Sequence, residues 1–180
     1  MPEATPDPLV VPVRARDTEV TALLDALTSE LALSGYEATE TFGYTVEQLE
    51  RSRVHLVGAR VAGRLVGVAG IELQRDGIGE LKRFFVLREH RGTDVADALI
   101  TAVMRYAHDQ GAHQLRLETG DKQQAAIAFY RRHGFVEIPR FGPYVRSATS
   151  YCMQRGAETD SADRSDPGRR SACQIARRSE

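Results

Sequence analysis

Val86-Leu87-Arg88-Glu89-His90-Arg91-Gly92-Thr93-Asp94-Val95-Ala96 is the stretch at which the hydrophobic period of this chain changes. Before it, residues 54–61, 65–73 and 78–86 alternate or run apolar in lengths that suit strands. Turn residues Gly63-Arg64 and Arg75-Asp76-Gly77 separate them, which predicts an antiparallel meander. After it, Val95, Leu99, Ala102, Val103, Tyr106 and Ala107 recur at the helical period, and Gly111 closes that helix. Further out, residues 9–14 read as a strand. Asp17 and Thr18 offer N-caps for a helix carrying Val20, Leu23, Leu24, Leu27 and Leu31, which stops near Ser34-Gly35. Residues 34–45 read as a loop or a short second helix. Residues 114–118 read as a strand, 123–133 as a helix ending at Gly134, and 135–138 and 148–153 as two last strands. The order predicts an α/β fold of the α+β type, with a mixed, mostly antiparallel central sheet flanked by helices.

Composition limits the function classes. The chain has 180 residues, with 24 Lys and Arg against 25 Asp and Glu, and a formal net charge of -1. One domain of ordinary size fits that length. The charge balance argues against nucleic acid as a partner bound through massed cations. No apolar run is long enough to span a membrane. The acidic, Pro-rich start has no signal-peptide pattern. Cys152 and Cys173 form no CxxC pair, which fits a reducing, cytoplasmic setting. His55, His90, His108, His113 and His133 form no HExxH or Cys/His cluster, so no metal is expected. From Gly156 on there is no aromatic residue and Ile175 is the only large aliphatic. Residues 156–180 are therefore expected to be a disordered tail, residues 1–8 a flexible N-terminus, and 9–155 the working domain.

The quoted stretch also carries chemistry. The first turn of a helix has free backbone N–H groups and the positive end of the helix dipole, and a phosphate can sit there without basic side chains. Gly92 allows close approach and Arg91 adds charge. An ordinary strand-to-helix turn, N-capped by Thr93 or Asp94, explains the same residues.

Two segments together resemble the GNAT acetyltransferases. Arg91-Gly92-Thr93-Asp94-Val95-Ala96 is similar to that family's pyrophosphate loop. Leu117-Glu118, Gln123, Ala126-Ile127-Ala128-Phe129-Tyr130 and Gly134-Phe135 resemble its second signature. The resemblance covers about residues 9–155 and implies a GNAT-like acyl-CoA acyltransferase fold with acetyl-CoA as cosubstrate. It implies that Arg91, Gly92, Thr93, Asp94, Val95 and Ala96 bind the diphosphate. It also implies that Gln123 hydrogen-bonds the cofactor arm, and that backbone groups of Phe84, Phe85 and Val86 pair with the pantetheine like an added strand. A backbone N–H of that strand could also polarise the thioester carbonyl. Asp94 departs from the pattern, standing where the family has a Gly. The expectation is that the loop still binds, with the Asp94 carboxylate turned away.

Acetyl transfer to an amine needs a base for the amine, a donor for the carbonyl oxygen and a proton for the leaving thiolate. The resemblance makes Glu118, at a strand end, the first choice as base, and a solvated carboxylate is the plain alternative. Glu80 is a second candidate, acting through water. Tyr130 is the expected acid, since a phenol stays protonated near neutral pH, although the same spacing suits a core aromatic. The resemblance implies that two loops flank the acceptor, and their aromatics and acids, Glu37, Glu40 and Tyr44 in one and Phe141 and Tyr144 in the other, suggest a small cationic or amphipathic amine. With them, Glu80 completes the expected acceptor-binding set. Lys82-Arg83 and Arg131-Arg132-His133 read as solvated faces or as a hold for a ribose phosphate.

Three functions stay open on the sequence. The first is an N-acetyltransferase for a small primary amine, working by direct transfer in a ternary complex. The second is the same chemistry on a macromolecular amine, in a protein or an aminoacyl-tRNA. The third is a non-catalytic CoA-binding module. A homodimer through the last strands is compatible with the resemblance, and no residue pattern demands one.

Overall fold

The computed structural model describes residues 6–36 and 43–156. Glu37, Glu40 and the tail from 157 onward lie outside the described residues, as does most of the N-terminus expected to be flexible. The elements are β1 (Leu9–Pro12), α1 (Thr18–Leu33), α2 (Val46–Arg51), β2 (His55–Val61), β3 (Arg64–Leu73) and β4 (Ile78–Val86), followed by α3 (Val95–Asp109), β5 (Gln114–Gly120), α4 (Gln124–Arg132), β6 (Val136–Ile138) and β7 (Ser150–Gly156). Short 3-10 turns occupy Arg88–His90 and Gly142–Arg146. Gly156, which composition assigns to the tail, is the last residue of β7 and pairs with Gln114.

The second helix lies just beyond the segment expected to hold it. Thr45 caps it: the Gln48 N–H donates to the Thr45 side chain, and the Thr45 N–H donates to the Gln48 side chain. This reciprocal pair satisfies donors that a helix start leaves open.

The seven strands run in the order β1-β2-β3-β4-β5-β7-β6. Every pair is antiparallel except β4 with β5. That parallel pair is short, joining only Ile78, Gly79 and Glu80 to Gln114, Leu115 and Arg116. Beyond it the strands part. A bulge assists the parting: Val68 faces Phe85 and Gly70 faces Lys82, so Arg83 and Phe84 together stand opposite Ala69. Arg83 takes a left-handed φ of 53°, which is uncommon for a non-Gly residue. A bulge adds local twist and bends the strand that carries it.

Two cores flank the sheet. On one face, Val95, Leu99, Ile100 and Val103 of α3 pack with Leu115, Leu117, Tyr130, Phe135 and Met153. On the other, Val20, Leu23 and Leu24 of α1 and Leu49 of α2 pack on Leu56, Leu65, Val68 and Phe85. Gly134, at φ 79°, ends α4 and lets the Phe135 N–H reach the Tyr130 carbonyl at 3.1 Å. Phe135 is thereby turned into the first core.

Candidate active site

Where β4 and β5 part, a cavity of about 790 Å³ opens between α1 and α4. Phe84, Phe85 and Val86 of β4, Gly92 and Arg91 before α3, Ala96 inside it, and Gln123 before α4 all line this space. Glu118, Tyr130, Tyr44 and Tyr144 line it too. Thr93, Asp94, Val95, Glu80 and Phe141 do not. The structure thus brings both candidate catalytic side chains to one cavity.

Glu118 is half-buried near the C-terminal end of β5 and accepts a hydrogen bond from Ser150 Oγ at 2.6 Å. Ser150 stands on the neighbouring β7, itself buried, and its backbone N–H donates to Ser147 Oγ at 3.0 Å. Burial pushes the Glu118 carboxyl above the usual carboxylate range. The Ser150 hydrogen bond and the Lys82 charge pull it partly back, and the Glu80 charge adds to the rise.

Tyr130 is buried in an aromatic cluster, with ring centroids 6.0 Å from Phe84, 5.4 Å from Phe129 and 5.8 Å from Phe135. Burial first, and the Glu118 charge second, raise its phenol well above the ordinary value. The hydroxyl therefore keeps its proton at any working pH. Core packing and proton donation are both available to it, since the ring faces the core cluster and the residue also lines the cavity.

At the loop before α3, Gly92 has φ 76° and open space around it. The first i to i−4 bond of α3 runs from the Ala98 N–H to the Asp94 carbonyl at 2.9 Å, so the N–H groups of Val95, Ala96 and Asp97 precede the helical ladder. Asp94 is exposed and sits at the N-cap without a side-chain cap bond. Val95 is a core residue, so only its backbone is offered to the loop. Thr93 Oγ1 donates to the His90 carbonyl at 2.7 Å. The Arg91 guanidinium is engaged elsewhere, with Nε on the Val86 carbonyl at 3.0 Å and Nη2 on Glu30 at 2.7 Å.

The residues expected on the acceptor side form a network that sequence reasoning missed. Lys82, read as a solvated cation, is 8% exposed. It donates to Glu80 at 2.5 Å and to Tyr144 Oη at 3.2 Å. Glu80 is equally buried and also accepts from Tyr144 Oη at 2.7 Å and Gln74 at 2.9 Å. With both oxygens occupied and no place on the cavity wall, Glu80 is poorly placed to act on an amine directly. Tyr44 Oη donates to Glu72 at 2.8 Å, and burial plus that carboxylate push the phenol up to about 12. Phe141 lies edge-on to Tyr144 at 5.2 Å and over the Arg116 guanidinium at 5.4 Å. Arg132 lines the cavity, whereas His133 pairs with Asp97 at 2.7 Å.

Tyr36 closes one side. Its hydroxyl accepts the Lys122 N–H at 2.7 Å, and Lys122 Nζ donates to the Gly35 carbonyl at 3.0 Å. The end of α1 is thus strapped to the start of α4.

Known proteins share this fold. The sequence pattern of the Acetyltransferase (GNAT) family matches residues 21–135. An IAA acetyltransferase of Azospirillum brasilense is 32% identical over 121 residues, spanning 67% of this chain and 79% of that protein. Among solved structures, a protein provisionally described as an acyl-CoA N-acyltransferase of Klebsiella pneumoniae superposes with a TM-score of 0.70. It is 30% identical and covers 84% of this chain and 98% of its own. The PaiA N-acetyltransferase of Thermoplasma acidophilum, solved in complex with coenzyme A, has a TM-score of 0.68 over 84% of this chain and 99% of its own. It is 15% identical, a likeness of fold alone.

Proposed function

This chain belongs to the GNAT acetyltransferase family, and from that premise we propose that it moves the acetyl group of acetyl-CoA directly to a primary amine of a small molecule. The observation that carries the proposal is the meeting of Glu118 and Tyr130 in the cavity that opens where β4 and β5 part.

The residues present fit a CoA thioester. From Leu81 to Val86, β4 lacks a partner strand on its β5 side, so its backbone can take an extended amide chain as a further strand. The start of α3 offers unladdered N–H groups and an open Gly92 for the diphosphate, with Asp94 outside the cavity lining. Arg132 and Gln123 stand on the wall as polar partners for the rest of the cofactor. When bound, acetyl-CoA supplies an acyl group already activated as a thioester.

Glu118 then takes the proton that an acceptor ammonium must lose, because only the free amine has a lone pair. Its raised proton affinity makes it the stronger base for that task. Ser150 occupies Glu118 Oε1, which fixes the carboxylate plane and leaves Oε2 for the amine. Tyr130 holds its proton on Oη until the leaving sulfur takes it. The walls hold both reactants at once, and that alone lowers a bimolecular barrier by about 7–11 kcal/mol.

The small-molecule reading is supported by the strap from Tyr36 to Lys122, by the half-buried Tyr44 and by the buried Tyr144, all of which line the cavity. A thiol-release assay with acetyl-CoA and small primary amines tests it. Turnover is expected with at least one amine that carries a positive charge. If purified protein binds acetyl-CoA and acetylates peptides but none of the small amines, the acceptor is macromolecular.

A further inference from the structure

Glu72 of β3 and Glu80 of β4 stand directly opposite each other in the ladder. Two like charges in that relation destabilise a sheet. Each carboxylate nevertheless holds a tyrosine from a different loop: Tyr44 on Glu72 at 2.8 Å and Tyr144 on Glu80 at 2.7 Å. The charge between them is Lys82. Its ammonium lies 2.5 Å from Glu80, 3.9 Å from Glu72 and 3.2 Å from Tyr144 Oη, and 4.5 Å from the centre of the Tyr44 ring. Ionising a lysine in a buried place is unfavourable unless partners surround it, and here carboxylates and aromatic faces do so. A hydrophobic residue would pack in that volume but would leave two opposed carboxylates with no cation.

We propose that Lys82 is a positioning residue for the acceptor: it joins the Tyr44 segment and the Gly142–Arg146 turn over β4, and so fixes the acceptor end of the cavity beside Glu118. The inference rests on the reading above that the acceptor binds where Tyr44 and Tyr144 meet the cavity. The Lys82 side chain meets Tyr44 and Tyr144 there, while the cofactor is read onto the backbone of Phe84, Phe85 and Val86 further along β4 and onto the α3 start. Loss of the ammonium therefore affects the two substrates unequally. The Glu72 and Glu80 pair repels, both tyrosines loosen, and the acceptor loses its walls. The cofactor keeps its own.

The test uses the full chain with Lys82→Met, read by hydrogen exchange, by calorimetry with coenzyme A and by kinetics. Exchange is expected to rise about tenfold in residues 43–45 and 141–149, the scale of one lost charge-assisted hydrogen bond. Coenzyme A affinity is expected to stay within about twofold of the wild type. With whichever of histamine, tyramine, spermidine and L-lysine turns over, acceptor KM should rise about tenfold while acetyl-CoA KM holds. If Lys82→Met does not fold, Lys82→Gln removes the charge while keeping a polar side chain, leaves both carboxylates in place, and should fold with both loops loosened. Wild-type exchange in either loop, in whichever variant folds, overturns the proposal. So does a coenzyme A affinity that falls as far as acceptor binding. If none of the four amines turns over, the small-amine reading fails, while exchange and coenzyme A affinity still decide the role of Lys82.

Discussion

Glu118 and Tyr130 are pushed the same way by burial, with opposite chemical results. A raised carboxyl becomes a stronger base, whereas a raised phenol becomes a more secure holder of its proton. For Glu118→Gln, kcat/KM is expected to fall by about 10²–10⁴, and the acid limb of the pH–rate profile to disappear. In the wild type that limb should lie above the usual carboxylate value, because the base works only when deprotonated. An unchanged limb in the variant would assign the base elsewhere. Stability carries the same sign. The folded state binds this proton more tightly than the unfolded chain does. The contribution of Glu118 to stability is complete below the unfolded pKa and is lost as pH rises through the folded one. Thermal melts of Glu118→Gln should show a flatter fall across that window. Tyr130→Phe keeps the ring in its cluster and should slow turnover by about 10²-fold with coenzyme A affinity intact. Unaltered turnover would leave Tyr130 a core residue. These residues were legible because they stand in a local signature. Lys82 and Ser150 were not. The alternation Glu80-Leu81-Lys82 has the form of a strand with one wet face, and only a loop some sixty residues further on, carrying Tyr144, makes that face dry.

At the scale of elements, the sequence located the described strands and three of the four described helices to within a few residues; α2 begins at Val46, past the segment 34–45 that reads as a loop or a short second helix. Its capping box was visible as Thr45-Val46-Glu47-Gln48, but the apolar periodicity of a six-residue helix is too brief to announce it. The bulge at Arg83 had no signal, because the residue type there is not one that favours a left-handed φ. The strap at Tyr36 was equally silent, since it joins residues far apart in the chain. It supplies a test at this scale. A Cβ on Gly120 would fall 2.2 Å from Tyr36 Oη. Gly120→Ala must therefore displace the strap, at a stability cost of about 1–3 kcal/mol. Its acceptor KM should rise more than its acetyl-CoA KM. Equal changes in both, measured by initial rates, would show that the strap does not border the acceptor.

For the whole molecule, the two cores face opposite sides of the sheet, and members of both, Leu117 and Tyr130 from one and Phe85 from the other, line the cavity. Phe135 ties α4 and the last strands to the larger core at 2% exposure. Phe135→Ala should cost about 3–5 kcal/mol in urea unfolding. A change under about 1 kcal/mol would mean that the α4 end folds independently.

The parting of β4 from β5 leaves unpaired backbone in the middle of the sheet, not only at its rims. Open strand edges invite other chains to add to them, which is how sheets aggregate. This one is hidden at the base of a narrow cleft between α1 and α4, with Arg83 and Arg91 on its walls. On the reading proposed above, the cofactor arm takes the place of the missing partner strand, and binding completes a sheet that folding leaves unfinished.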